Sequence, residues 1–144
     1  MIRYVVDASV VVKWYLPEVH DKEAQRLLRD DIELLAPDLV FSEVGNILWK
    51  RVRAGDLTAA EAEAVLQSFE RLSLTVSPSA PLILPAMVIA CQTQRTVYDS
   101  LYLALAIRET ALFVTADAKF YNALQSTPLA SSLLWVADVP DVLP

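Results

Sequence analysis

The hydrophobic and polar positions along the chain predict short buried strands that alternate with helices. Five apolar runs have the length of a strand and are rich in branched or aromatic residues. These predicted strands cover residues 4–6, 32–36, 74–76, 112–115 and 133–136.

The segments between the strands carry apolar residues at helical spacing. In the longest, residues 38–53, Val40, Val44 and Ile47 mark one face, and Gly55 lies just beyond a basic last turn. Basic residues in that turn favour a helix end. Thr58 and Glu61 have the spacing of a capping box that opens another helix. Further helices are predicted over residues 21–31, 81–95, 96–109 and 118–125.

Strands that alternate with helices over the whole length predict an α/β fold. We expect a single domain over residues 1–144, with a central parallel sheet and helices on both faces in three layers.

The composition limits the class of protein. With 55% hydrophobic residues and only 2 glycines, disordered and fibrous classes are excluded. The apolar share is high for a small domain, so some apolar side chains should stay uncovered in the isolated subunit. We therefore expect a homodimer or another protein partner.

The net charge of -6 argues against a broad basic surface for nucleic acid, so any phosphate contact must be local. The candidates for such contacts are Lys13, Lys50, Arg51 and Arg53, although basic residues near a helix end also serve the helix dipole. The single Cys91 and the lack of a secretory start predict a cytoplasmic protein.

Two carboxylates follow predicted strands. Asp7 comes after residues 4–6, and Asp117 comes after residues 112–115. In a parallel sheet both lie at the carboxyl edge, where α/β folds bind ligands. The alternative is structural: Asp7 in a turn and Asp117 capping the next helix.

Two further carboxylates lie on predicted helices. Glu43 has Leu39, Val40 and Ile47 as helical neighbours, which places it on the core face unless it reaches out from the margin. Asp99 stands in the first turn of an almost wholly apolar helix, where it can be a capping residue or can face a cleft.

Four carboxylates gathered at one sheet edge would repel one another unless a divalent cation lay between them. Ligation by oxygen alone favours Mg²⁺ or Mn²⁺, and the chain has only one histidine and one cysteine to offer zinc. The sequence therefore predicts a magnesium or manganese site.

Four segments together resemble the PIN-domain ribonucleases and, within them, the VapC-like toxins of toxin-antitoxin pairs. They are VVDAS at residues 5–9, SEVGN at 42–46, YDSLYLALA at 98–106 and VTADAKF at 114–120. The set extends through nearly the whole chain in the order typical of the family.

The resemblance implies that four acids bind metal and carry out catalysis: Asp7, Glu43, Asp99 and Asp117. It also implies that the hydroxyls of Thr115 and Ser9 support them. It also implies hydrolysis of RNA phosphodiesters, homodimerisation and inhibition by an antitoxin protein. One position departs from the family, since Ala118 stands where an Asp or Arg is common.

Two other functions stay open. A non-catalytic interaction domain would use the four acids as caps and turns, and its apolar excess would bind a partner. A phosphoacceptor signalling domain is also α/β, but it would carry paired acids near strand 1, which this chain lacks.

Overall fold

The computed structural model describes residues 1–141 and contains one five-stranded sheet in the order β3-β2-β1-β4-β5. Every neighbouring pair of strands is parallel. The strands are β1 Ile2–Val6, β2 Ile32–Pro37, β3 Thr75–Ser77, β4 Leu112–Thr115 and β5 Leu133–Trp135. The predicted α/β fold with helices on both faces is confirmed; the last three residues of the predicted domain lie outside the described part.

The α-helices largely follow the apolar spacing of the sequence. They are α1 Ala8–Val11, α2 Asp21–Gln25, α3 Leu39–Arg53, α4 Ala59–Glu70, α5 Ile83–Thr93, α6 Val97–Glu109 and α7 Ala118–Leu124. The predicted capping box of α4 is present, with reciprocal hydrogen bonds between Thr58 and Glu61. A 3₁₀ turn, Ala80–Leu82, holds Pro81, so α5 begins two residues later than predicted.

The predicted helix over residues 21–31 is wrong in its second half, because α2 ends at Gln25. Beyond it, Leu27 and Leu28 form tighter bonds to carbonyls three residues back. The Arg26 guanidinium donates to the carbonyl of Val139, which ties this turn to the end of the chain. Such a distant anchor has no local signal in the sequence.

The centre of the core is formed by the sheet and α6. Val5 and Val6 of β1 and Val114 of β4 are completely buried. Helix α6 packs against β1, β2 and β4, and residues 100–106 within it are all buried. This packing explains why α6 lacks a polar face. No helix in residues 1–141 is long and apolar enough to cross a membrane.

Two of the basic residues considered for phosphate contact belong to a charge network around Glu18. The buried Lys13 ammonium lies 3.2 Å from the Glu18 carboxylate and donates to the carbonyl of Val19. Arg51 pairs with the other oxygen of Glu18. Lys13 and Arg51, two of the four candidates for phosphate contact, are therefore both engaged with Glu18 inside the protein.

Candidate active site

The carboxyl edge of the sheet brings the first pair of predicted acids together. Val6 of β1 pairs with Val114 of β4, so Asp7 and Thr115 lie side by side. The Thr115 hydroxyl donates to Asp7 Oδ2 at 2.7 Å, and its oxygen accepts the backbone N–H of Asp117 at 3.1 Å. The Thr115 hydroxyl thus connects Asp7, which follows β1, to Asp117, which follows β4.

Ser9 makes a second connection of the same kind. Its hydroxyl donates to Asp7 Oδ1 and accepts the backbone N–H of Ala116 at 3.1 Å. Both oxygens of the Asp7 carboxylate are therefore oriented by hydroxyl donors, one from α1 and one from the end of β4. The two residues predicted as supporting hydroxyls, Ser9 and Thr115, both contact Asp7.

Asp7 and Asp117 also cap helices. Asp7 is the N-cap of α1 and accepts the N–H of Val10, and Asp117 is the N-cap of α7 and accepts the N–H of Phe120, each at 3.2 Å. Asp117 therefore caps the next helix as the structural alternative predicted, and Asp7, for which that alternative was a turn, caps a helix as well. Capping does not compete with a role in the site, because each carboxylate also lines the same pocket.

Glu43 lies half-buried on α3 and is held from α6. The Tyr102 hydroxyl donates to Glu43 Oε1. Tyr102 is itself buried and stacks on Phe113 of β4, the strand beside the central β1. The sequence reasoning missed Tyr102, although its position one helical turn after Asp99 was the available signal.

Asp99 is the third residue of α6, and it is half-buried at the helix start. Its backbone N–H donates to the Thr96 hydroxyl at 3.1 Å, which is the predicted cap. This bond uses the backbone N–H of Asp99 as the donor. The carboxylate faces the same pocket as Asp7, Glu43 and Asp117.

This pocket has a volume of about 420 Å³ and is open to solvent. All four predicted acids line it, together with Ser9, Asn46, Lys50, Tyr98 and Tyr102. Of the basic residues considered for phosphate contact, Lys50 lines the pocket, whereas the guanidinium of Arg53 lies over the Trp49 ring.

Three acids of the pocket, Asp7, Glu43 and Asp99, hold protons more tightly than free carboxylates do. Burial raises the pKa of Asp7 to about 6, against the lowering effect of its hydrogen bonds from Ser9, Thr115 and Val10. Burial also raises the pKa of Glu43 and of Asp99. Charge repulsion adds to these shifts, from Glu43 on Asp7, from Asp99 on Glu43 and from Asp117 on Asp99.

The donor set of the pocket fits a hard divalent cation, because it offers carboxylate and hydroxyl oxygens and no thiol or imidazole. In residues 1–141, however, no three Asp, Glu, His or Cys side chains are arranged as a ready set of metal ligands. Glu43 is turned to Tyr102, and Asp117 to the N–H of Phe120. The pocket thus offers the oxygen ligands that suit Mg²⁺, without a preformed set of three among the described residues.

The geometry defines a class of protein: a parallel α/β domain with an acidic pocket at the carboxyl edge. A family described as the PIN domain matches residues 4–123. The chain belongs to the PIN-domain family.

Its relatives within that family include VapC proteins. The chain is 35% identical over 118 residues to ribonuclease VapC3 of Pyrobaculum aerophilum. This alignment covers 81% of the chain and 90% of the relative. The crystal structure of PAE2754 from the same organism aligns with a TM-score of 0.68 and 25% identity, over 94% of this chain and 84% of that one. A chain of a toxin-antitoxin complex from Klebsiella pneumoniae has the same fold, with a TM-score of 0.61 and 9% identity over 91% of this chain and 95% of that one.

Proposed function

We propose that this protein is a ribonuclease that hydrolyses RNA phosphodiester bonds with Mg²⁺ or Mn²⁺, and that it is the toxin of a toxin-antitoxin pair. The observation that carries the proposal is a single pocket that Asp7, Glu43, Asp99 and Asp117 all line although they come from four separate segments. Its similarity to a VapC ribonuclease over most of both chains supports the reaction class.

Asp7, Asp99 and Asp117 would hold the cation, with Glu43 completing the set. A bound Mg²⁺ supplies a Lewis acid that acidifies water and offsets the charge of the phosphate. Ser9 and Thr115 orient Asp7, and Tyr102 orients Glu43. Glu43 and Asp99 have raised pKa values, and either would accept the proton of the attacking water.

Removal of divalent cations tests the proposed function. We expect the purified chain to cut a mixture of cellular RNAs with Mg²⁺ present, to stop in EDTA and to recover when Mg²⁺ is restored. Mg²⁺ should also raise the melting temperature, because a ligand that binds only the folded state stabilises it. Equal cleavage with and without EDTA would contradict the proposed dependence on a metal. The absence of both cleavage and a thermal shift would favour a non-catalytic interaction domain.

A second proposal concerns partners: an antitoxin protein, as in the Klebsiella pneumoniae complex, and a second copy of this chain. The expected uncovered apolar residues are present on α5, where Leu84, Val88 and Met87 are 80%, 55% and 48% exposed.

We expect an equimolar amount of the antitoxin to suppress RNA cleavage. Undiminished cleavage by a confirmed complex would contradict inhibition by the antitoxin.

We expect Leu84→Glu to convert a dimer to a monomer, because a carboxylate in an apolar interface has no partner. Light scattering after size exclusion measures the mass. The matched control is Val19→Glu, which alters another exposed apolar residue, 74% accessible, outside α5. An unchanged dimer in Leu84→Glu would exclude α5 as the interface.

A further inference from the structure

Some side chains of the pocket have no part in the proposed metal site or in the packing of the fold. Two tyrosines line it, and their situations differ. Tyr102 is 1% exposed, bonds to Glu43 and stacks on Phe113. Tyr98 is 62% exposed, and within residues 1–141 its hydroxyl has no hydrogen bond and its ring no aromatic partner. Tyr98 therefore presents a ring to the solvent directly beside Asp99.

Another part of the pocket lining is one stripe of α3. Leu39, Glu43, Asn46 and Lys50 follow one another at helical spacing and all line the pocket. Asn46 and Lys50 are exposed, and in the described chain neither side chain has a hydrogen-bond or ion-pair partner. Lys13 and Arg51 differ from Lys50, since both are engaged with Glu18.

These features match the chemistry of a nucleotide whose phosphate lies at the acids. An exposed aromatic ring offers a stacking surface for an unpaired base, which favours binding by about tenfold or more per base. An amide such as that of Asn46 can both donate to and accept from a base edge. A lysine without an internal partner can neutralise a phosphate in a protein with a net charge of -6.

We propose that Tyr98 stacks on a base next to the cleaved phosphate, and that Asn46 and Lys50 bind the same RNA from the α3 wall. The inference rests on the proposed ribonuclease function and adds substrate-positioning residues to it. The three side chains hold the RNA while the four acids act on the phosphate. Their removal should therefore weaken substrate binding more than it slows the chemical step.

The test compares Tyr98→Leu and Tyr98→Phe in steady-state cleavage of an RNA that the wild-type chain cuts in Mg²⁺. Tyr98→Leu should raise KM about tenfold or more and change kcat little. Tyr98→Phe keeps the ring and should keep the wild-type KM. Lys50→Gln should raise KM and reduce the salt dependence of binding by about one phosphate contact. The control is Trp49→Leu, which removes a ring that is 53% exposed on α3 and does not line the pocket.

The outcomes separate the two proposals. If the wild-type chain cuts no RNA, the proposed function fails. If it cuts RNA and Tyr98→Leu retains its KM, only the inference about Tyr98 is overturned. An unchanged KM with a loss of dimer mass or of antitoxin binding would also overturn it, and would place Tyr98 in a protein interface. Equal melting temperatures of the variants exclude misfolding.

Discussion

Replacing Asp99 by Asn should lower kcat for RNA cleavage by at least about 100-fold while leaving the fold intact. The loss is expected because the variant removes a charge from the proposed cation site and a group that would accept a proton. The fold should be retained because the cap of α6 joins the Thr96 hydroxyl to the backbone N–H of residue 99, which Asn also has. Cleavage rates under saturating Mg²⁺ and thermal melts measure the two effects.

The matched control is Glu61→Gln. Glu61 occupies the same third position of α4 that Asp99 occupies in α6, and each helix begins at a threonine N-cap. Glu61 lies on the surface outside the pocket, and its carboxylate accepts the N–H of Thr58. Glu61→Gln should weaken a helix end and leave cleavage unchanged. If both variants cut RNA as the wild type does, Asp99 is a capping residue and nothing more.

Much of the fold could be predicted because its signals are local. Parallel strands buried on both faces are continuous apolar runs, and all five predicted strands have counterparts in the structure. Their carboxyl ends meet at one edge of the sheet, so the sequence could place Asp7 and Asp117 at the same edge. The pairing of β1 with β4, which brings Thr115 beside Asp7, is known only from the structure.

The parts that could not be predicted depend on contacts between distant residues. The paired residues Glu18 and Arg51 are 33 positions apart in the sequence, and Glu43 and Tyr102 are 59 positions apart. No spacing rule links such residues. The turn that follows α2 likewise contains a distant contact, since Arg26 is bonded to a carbonyl 113 positions away.

The caps explain why sequence reasoning left the roles of the acids open. An aspartate at a strand end meets the free N–H groups of the following helix, so the position that aims a carboxylate at the pocket also makes it an N-cap. Asp7 and Asp117 do both. Capping is thus part of how the chain orients these side chains, and its presence does not count against a catalytic role.

Replacing Asp7 by Asn should stabilise the metal-free protein at neutral pH by roughly 1 to 3 kcal/mol. Burial raises the pKa of Asp7 in the folded chain from its ordinary 3.8 to about 6. Above that value the carboxylate is ionised in both states, and the folded state bears the whole cost of burying the charge. Asn has no charge to bury, and the Ser9 and Thr115 hydroxyls can accept from its amide as well as donate.

The sign of the pH dependence distinguishes this cause from a simple change in packing. Well below the ordinary pKa of 3.8, the Asp7 carboxyl is protonated in the folded and the unfolded chain, so its burial costs little. As the pH rises from about 4 to about 6, the wild type loses stability relative to Asp7→Asn, and above that range the difference stays constant. Urea unfolding in EDTA at pH 4, 5, 6 and 7.5 measures the difference directly.

Mg²⁺ should then reverse the order at pH 7.5, because a cation that binds the wild-type pocket offsets the repulsion among Asp7, Glu43 and Asp99, whereas the variant has lost one ligand. The same carboxylate would therefore lower stability without the metal and raise it with the metal. A stability difference that is independent of pH, or a variant that gains as much from Mg²⁺ as the wild type, would contradict this account of Asp7. Both results together would mean that its burial is structural and that the cation binds elsewhere.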